Sequence, residues 1–264
     1  MNKTNSIKSI VKVMNLHSLL RVDKSRTKSK KFMEMEAVLY EMIESILYNR
    51  NLLLDYKTLR PDKKKPQLNI YIGSDMGFCA SITSKVKKPL SEDSKNTQIK
   101  QILIGRKLLS GYSGEPLLYM TREAFEKDDT PVLDMIEKGV RELEYSSITI
   151  TYNEFENTSN ISFVTKQIFP LEEPEDKPMF RDDFVLEGDP DVLLSKLVVL
   201  YAKYTMYIAG ATSFAAENIS RQNVTNESLR KIEEREELQL QEVRRVEKEK
   251  QFAKVLENFT RAKA

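Results

Sequence analysis

At 264 residues, 31% charged and 40% hydrophobic, the chain is long enough for one large domain or two small ones and too apolar for a disordered tail. Its 42 basic residues against 40 acidic ones leave a formal charge of +2, so no overall field draws it to nucleic acid or to a membrane surface, and an electrostatic partner must meet a local patch. The one cysteine, Cys79, excludes an internal disulfide and a cysteine-based metal cluster and fits a reducing cytoplasm.

Glycine and proline divide the chain. Residues 1–60 contain neither, and residues 191–264 contain no proline and only Gly210. Since these two residues punctuate structure, the pattern predicts three parts: an N-terminal helix over 1–60, a mixed α/β body over 61–188 and a long C-terminal helix over 189–264. In the first helix, Ile7, Ile10, Val11 and Met14, then Leu19, Leu20 and Val22, step by three and four as an apolar face requires. The stretch DKSRTKSKKF (23–32) is polar on all sides, so the helix either breaks there or meets a polar partner. The apolar spacing resumes through Met35, Val38, Leu39, Met42, Ile43, Ile46 and Leu47.

In the body, LNIYIG (68–73), ILIG (102–105) and SITITYN (147–153) are β-branched runs ending near turn residues. ISFVTKQIFPL (161–171) alternates and pairs with 147–153 through the turn NTSN. Residues 78–88 and 130–143 read as helices, and SEDSKN (91–96) and EEPEDKP (172–178) as surface loops. Strands alternating with helices predict a small, mostly parallel sheet with one antiparallel hairpin edge.

Asp189-Pro190-Asp191 is a helix start, an acidic cap followed by proline at the first position. Leu193, Leu197, Leu200, Tyr204, Tyr207, Ala211, Ala215 and Ile219 follow at helical spacing. After the polar zone QNVTNE (222–227) the stripe resumes at Leu229, Ile232, Leu240, Val243 and Val246 and continues at Ala253, Leu256 and Phe259. A continuous helix would run about 110 Å at ~1.5 Å per residue, too long for one small domain to bury. Charge pairs such as Glu227–Lys231 and Glu242–Arg245 support an exposed helix. The narrow apolar stripe between them fits a coiled-coil seam against the N-terminal helix. No apolar run approaches the roughly 20 residues of a membrane span, and MNKTNSIKSIVKV has no signal-peptide core. The chain is expected to be soluble, at most peripheral to a membrane.

Chemistry is sparse. His17 stands beside Leu16 and Leu19 with no acidic neighbour in sequence, and no His/Cys metal spacing exists. The segment IYIGSDMGFCASI (70–82) ends a strand in Gly73-Ser74-Asp75-Met76-Gly77, as many phosphate loops begin. It lacks the lysine and Ser/Thr of a P-loop and the three glycines of a dinucleotide loop, so a tight turn at the mouth of a sheet explains it as well as a site does. RVDKSRTKSKK (21–31) is basic but has no aromatic residue for base stacking. It fits an acidic protein surface better than nucleic acid.

Taken in order, these segments resemble the gamma subunit of F-type ATP synthases. Ser74, Asp75, Gly77 and Cys79 match the family's S-D-R-G-L-C-G, with Met76 and Phe78 replacing its Arg and Leu. Residues 102–105 resemble V-L-I-G, YNEFENT (152–158) its Y-N-x-F-x-N-[ST], and IFPL (168–171) its L-L-P-L. Residues 186–222 follow E-P-D-P-x-x-L-L-x-x-L-x-x-x-Y and then A-S-E-x-x-A-R, through Asp189, Pro190, Leu193, Leu194, Leu197, Tyr201, Tyr207, Ala216, Glu217 and Arg221. Residues 7–15 resemble I-K-x-x-I-x-S-V-x-N.

The resemblance implies an antiparallel coiled coil of the two terminal helices around a Rossmann-like α/β domain that binds no nucleotide, with no cofactor. It implies a non-catalytic torque-transmitting shaft, with alpha- and beta-type subunits forming a hexameric ring around its C-terminal tip. The globular foot would meet an epsilon-type small subunit and a membrane rotor ring, which places the chain in the cytoplasm, peripheral to the inner face of the cell membrane. Arg21, Lys24, Arg26 and Lys28 are the expected contacts with acidic levers of the beta-type subunits. The departures fall at one level: VDKSRTKSKK (22–31) replaces A-M-E-[ML]-V-A-A-[AS]-K-[LM], and QNVTNESLRK (222–231) replaces M-x-A-M-x-x-A-T-D-N. This correlated loss of apolar and small residues leaves two alternatives to an ATP-synthase shaft, a specialised motor used for motility and a stand-alone coiled-coil adaptor.

Overall fold

The computed structural model describes residues 2–49, 51–52, 54, 61–77, 79–157, 160–171, 185 and 187–261. Among them the elements are α1 (Asn2–Leu47), β1 (Gln67–Ile72), α2 (Ala80–Asp93), β2 (Ile99–Ile104), a 3-10 turn (Arg106–Leu108), β3 (Leu118–Met120), α3 (Arg122–Lys127), α4 (Thr130–Arg141), β4 (Ser147–Phe155), β5 (Ile161–Phe169) and α5 (Pro190–Arg261). Contacts divide the chain into two units, one of Leu19–Arg221 and one of Met1–Ser18 with Gln222–Ala264.

The larger unit holds a five-stranded sheet in the order β3-β2-β1-β4-β5. β1 runs parallel to β2 and β4, β2 parallel to β3, and β4 antiparallel to β5. The order 3-2-1-4 is that of doubly wound α/β folds, so the Rossmann-like expectation and the antiparallel edge both hold. Period-2 alternation sorts the side chains. Ile70 and Ile72 join Ile102, Ile104, Ile148 and Ile150 in a core with α3, α4, α1 and α5. Tyr71 and Leu103 join Val86 and Leu90 of α2, with Leu108, in a second cluster.

Local expectations need correction. The N-terminal helix ends at Leu47 rather than at residue 60, and the described residues 48, 49, 51, 52 and 54 are not helical. α2 continues past Pro89 to Asp93 because buried Leu90 anchors its last turn, so Ser91–Asp93 of SEDSKN are helical. The three-residue β3 and the six-residue α3 were not foreseen, being too short for a period to show. The loop 172–178 lies outside the described residues, as do positions 158 and 159 of the NTSN turn, while Asn157 and Asn160 bond to each other at its base.

In the larger unit α1 and α5 are antiparallel: Phe32 meets Tyr204 and Tyr207, Glu36 accepts from Thr205 at 2.6 Å, and Tyr40 meets Tyr201. The polar stretch 23–32 does not break α1. Its inward positions are Val22, Ser25 and Ser29, followed by Phe32, Glu36, Leu39, Ile43 and Ile46. These alternate steps of three and four, the 3.5-residue period of a coiled-coil seam. Leu19, Leu20, Met35, Val38 and Met42 are exposed instead, because i, i+3 and i+4 spacing among so many apolar residues traces more than one face of the helix. Ser25 and Ser29 open with Thr212 and Ala215 onto one recess, small side chains on both helices.

In the smaller unit α1 and α5 are also antiparallel. Lys8 Nζ lies 2.7 Å from Glu236 and 3.4 Å from Glu233. Asn15 Nδ2 donates to Asn226 Oδ1 at 2.6 Å and Thr225 Oγ1 at 3.1 Å. Glu227 pairs with Lys231 at 2.6 Å, whereas Arg245 pairs with Glu249 at 3.0 Å rather than with Glu242. Ile7, Ile10, Leu240, Val243, Val246 and Leu256 are exposed. One window within Pro190–Leu256 of α5 is apolar enough by length and composition to cross a membrane, which corrects the expectation from uninterrupted runs. Half of that window is buried in the protein, as in a core helix of a globular fold.

Candidate functional site

The turn after β1 closes against the turn after β2. Gly73 N–H donates to Ile104 O at 2.8 Å. Gly105 has φ +130°, and a Cβ there would lie 2.7 Å from the carbonyl carbon and oxygen of Gly73. Only glycine satisfies both the conformation and the approach. A Cβ on Gly73 would meet Leu108 Cγ at 2.6 Å, whereas one on Gly77 would meet nothing within 4 Å.

Asp75 ties three segments together. Its carboxylate accepts the Arg106 N–H at 2.7 Å and the Arg122 N–H at 3.1 and 3.3 Å. Phosphate loops leave such N–H groups bare for the ligand. Here the protein's own anion takes them. Ser74 is buried, 3.2 Å from the Thr83 hydroxyl and from Met76 O. Cys79 Sγ donates to Ser74 Oγ and Met76 O at 3.2 Å and is buried, a small packing residue. Phe78 lies outside the described residues.

Behind this turn is a buried ion cluster that the sequence did not announce. Arg122 is 6% exposed and Glu217 3% exposed. Arg122 Nη1 lies 3.3 Å from Glu217 Oε2, and its Nε 3.4 Å from Glu126. Its guanidinium carbon sits 3.8 Å from the Phe214 ring centroid, a close cation–π contact. Arg221 donates to Glu217 Oε1 at 2.6 Å and to Asn218 at 2.9 Å. Burial pushes the Glu217 carboxyl above its ordinary range, opposed by Arg122 and Arg221. Burial pulls the Arg122 guanidinium below its ordinary value, opposed by Glu217. In both groups burial is the largest influence and the ion partners oppose it. Glu217 and Arg221 were singled out by the resemblance. Arg122 had no sequence signal beyond its place after Thr121, whose hydroxyl caps α3 by accepting from Ala124 N–H.

The four cations expected at a partner surface divide between two recesses. Arg21, Lys24 and Lys28 line one of about 440 Å³ together with Arg106, Arg122 and Met76. Its carboxylates are engaged within the fold: Asp75 by backbone N–H groups, Glu123 by Lys127, Glu126 by Arg122, and Glu217 by both arginines. Arg26 lines another recess, of about 520 Å³, with its guanidinium 5.6 Å from the Phe155 ring. Arg21, Lys24, Arg26 and Lys28 are exposed. At the start of α5, Asp189 Oδ1 accepts the Asp191 N–H at 2.9 Å and Pro190 is the first helical residue. His17 is exposed, and no group of three metal-binding side chains exists among the described residues.

Comparisons with known proteins agree with this architecture. The model of a family described as ATP synthase matches residues 1–245. The ATP synthase gamma chain of Rickettsia felis is 27% identical over 240 residues, which cover 84% of this chain and 83% of that one. That of Actinobacillus pleuropneumoniae serotype 5b is 26% identical over 167 residues, 58% of each chain. Among solved structures, a chain of the Euglena gracilis mitochondrial ATP synthase rotor superposes with a TM-score of 0.57 at 12% identity, over 90% of this chain and 91% of its own. A chain from the central stalk and c-ring of Tetrahymena thermophila mitochondrial ATP synthase gives 0.50 at 17% identity, over 85% and 98%. The motility alternative finds no support in these relatives.

Proposed function

Because the chain belongs to the ATP synthase gamma family, matched over residues 1–245, we propose a division of labour among its parts: segment 1–60, which carries α1, and segment 189–264, which carries α5, form the shaft, and body 61–188 forms its foot. The chain is a central-shaft subunit of a rotary ATPase, transmitting torque between the ATP-converting hexamer and the output element. We read the chain itself as non-catalytic, with turnover belonging to the alpha- and beta-type subunits of the ring. The foot meets an epsilon-type small subunit and a membrane rotor ring, so that the chain works at the inner face of the cell membrane without entering it.

The cationic stretch of α1 carries the contact with the ring. One observation supports this most: Arg21, Lys24 and Lys28 surround a recess whose carboxylates are all engaged elsewhere, and they make no ion pair among the described residues. They are available to acidic side chains of a beta-type subunit. Arg26, on the other recess, is offered to the same kind of acidic lever. Charge reversal of Arg21, Lys24 and Lys28 together should slow or uncouple ATP turnover in the reconstituted complex. Turnover and rotation equal to the parent's would remove the assignment and leave these cations as a solvated helix face.

A further inference from the structure

The buried ion cluster joins α3 to α5. Apolar side chains of like volume often hold a fold as well as a buried ion pair does. What apolar packing lacks is direction. Along this part of α5 the buried apolar residues include Ala209, Ala211, Ala215 and Ala216, which give close approach, and the larger Ile208 and Ile219, and none of these side chains can make a directional bond. Phe214, Glu217 and Arg221, by contrast, reach off the helix, and Arg122 of α3 grips the first two.

The grip is itself anchored. Arg122 is the first residue of α3, and its N–H, like that of Arg106, is held by Asp75 in the turn after β1. A line of directional contacts therefore runs from the mouth of the sheet to one edge of α5: Asp75, the Arg122 backbone, its guanidinium, Glu217, then Arg221. A planar guanidinium held by a carboxylate and stacked on a ring resists both sliding and rotation.

We propose that Arg122 is a positioning residue for torque transfer, a clamp that locks α5 in rotational register with the sheet through Glu217 and Phe214. This rests on the shaft reading above. Sideways force on the helix then reaches the body through charge-assisted bonds and a ring stack rather than through apolar contacts alone.

The test uses the assembled complex, its hexamer fixed to a surface and a bead attached to the body through Lys88→Cys, an exposed position on α2. The angular spread of the bead during a catalytic pause measures torsional stiffness. Arg122→Met should at least double the variance of the angle in motors that rotate, a readout taken independently of turnover because Arg122 also lines the recess of Arg21, Lys24 and Lys28. Arg122→Lys, which keeps the charge but loses the fork and most of the stack, should fall between. A purely structural residue would lower assembly or turnover and leave the spread of correctly assembled motors alone. Equal variance in parent and Arg122→Met overturns the clamp. If Arg122→Met does not assemble, Glu217→Gln is measured in the same way and must show the same increase. A parent chain that never enters the hexamer refutes the shaft reading instead. A double-mutant cycle of Arg122→Met and Glu217→Gln on the isolated chain then decides the contact separately: additive losses overturn it, and a double variant no worse than the poorer single one supports it.

Discussion

Replacing Gly105 by alanine tests whether the turn after β2 is a steric device. The residue sits at φ +130°, a region open almost only to glycine, so an alanine there carries strain of about 1–3 kcal/mol. Its Cβ would also stand 2.7 Å from the Gly73 carbonyl, and backbone at a strand end cannot retract as a flexible side chain can. Relieving that overlap costs roughly another 1–3 kcal/mol, for a total near 4 kcal/mol. At about 2–4 °C per kcal/mol for a unit of this size, the melting temperature should fall by roughly 8–16 °C. Tyrosine fluorescence is the suitable probe: the chain has no tryptophan, and every tyrosine, from Tyr40 to Tyr207, lies within the unit Leu19–Arg221. Gly77→Ala is the internal control, since its Cβ meets nothing within 4 Å and the stability should stay within about 0.5 kcal/mol of the parent. Gly73→Ala should come between, because Leu108, 1% exposed, must move to admit it. Equal losses at positions 77 and 105, or a loss below about 1 kcal/mol at 105, would refute the close-approach argument.

Other consequences follow from single residues. Ser29 is 5% exposed with its hydroxyl unbonded, so Ser29→Ala should raise stability in urea by about 1 kcal/mol; a loss would show that the hydroxyl has a partner. Burial, aided by Asp93, raises the ionisation of Tyr71 above the ordinary 10.0. Burial does the same for Tyr152, and for Tyr207 with help from Asp129. A raised group stabilises the fold fully below its unfolded value and loses that contribution as pH climbs toward its folded one. Stability should therefore decline from about pH 10 upward, and phenolate absorbance of these three should appear only together with unfolding. Their titration in the native protein near the ordinary value would contradict the burial.

Of the site, Asp75, Glu217 and Arg221 could be singled out in the sequence, but what they touch could not. The motif GSDMG looked like half of a phosphate loop because a strand end, a glycine and a helix start are shared by both kinds of turn. The difference lies in Asp75, whose carboxylate takes two N–H groups from residues 31 and 47 positions away. No local pattern reports a contact at that separation. Arg122 was missed for the same reason. In sequence it is one basic residue in a short, mostly charged helix, and only burial against Phe214 and Glu217 sets it apart.

By itself the sequence determined what depends on neighbours along the chain. The scarcity of glycine and proline, with only Gly210 inside either helix, allowed two long helices, Asp189 and Pro190 began one of them, and β-branched runs laid down β1, β2, β4 and β5. These are backbone preferences and short-range caps, and they persist whatever surrounds them. The tertiary structure decided which face of each helix turns inward. It buried Ser25 and Ser29 while leaving Leu20 and Val38 exposed, because the seam of two antiparallel helices selects positions every 3.5 residues, whether or not the most apolar side chains stand there. It also decided that a deep cluster of charge would join the sheet to α5, since a buried arginine is defined by the groups that close around it and not by the residues beside it in the chain.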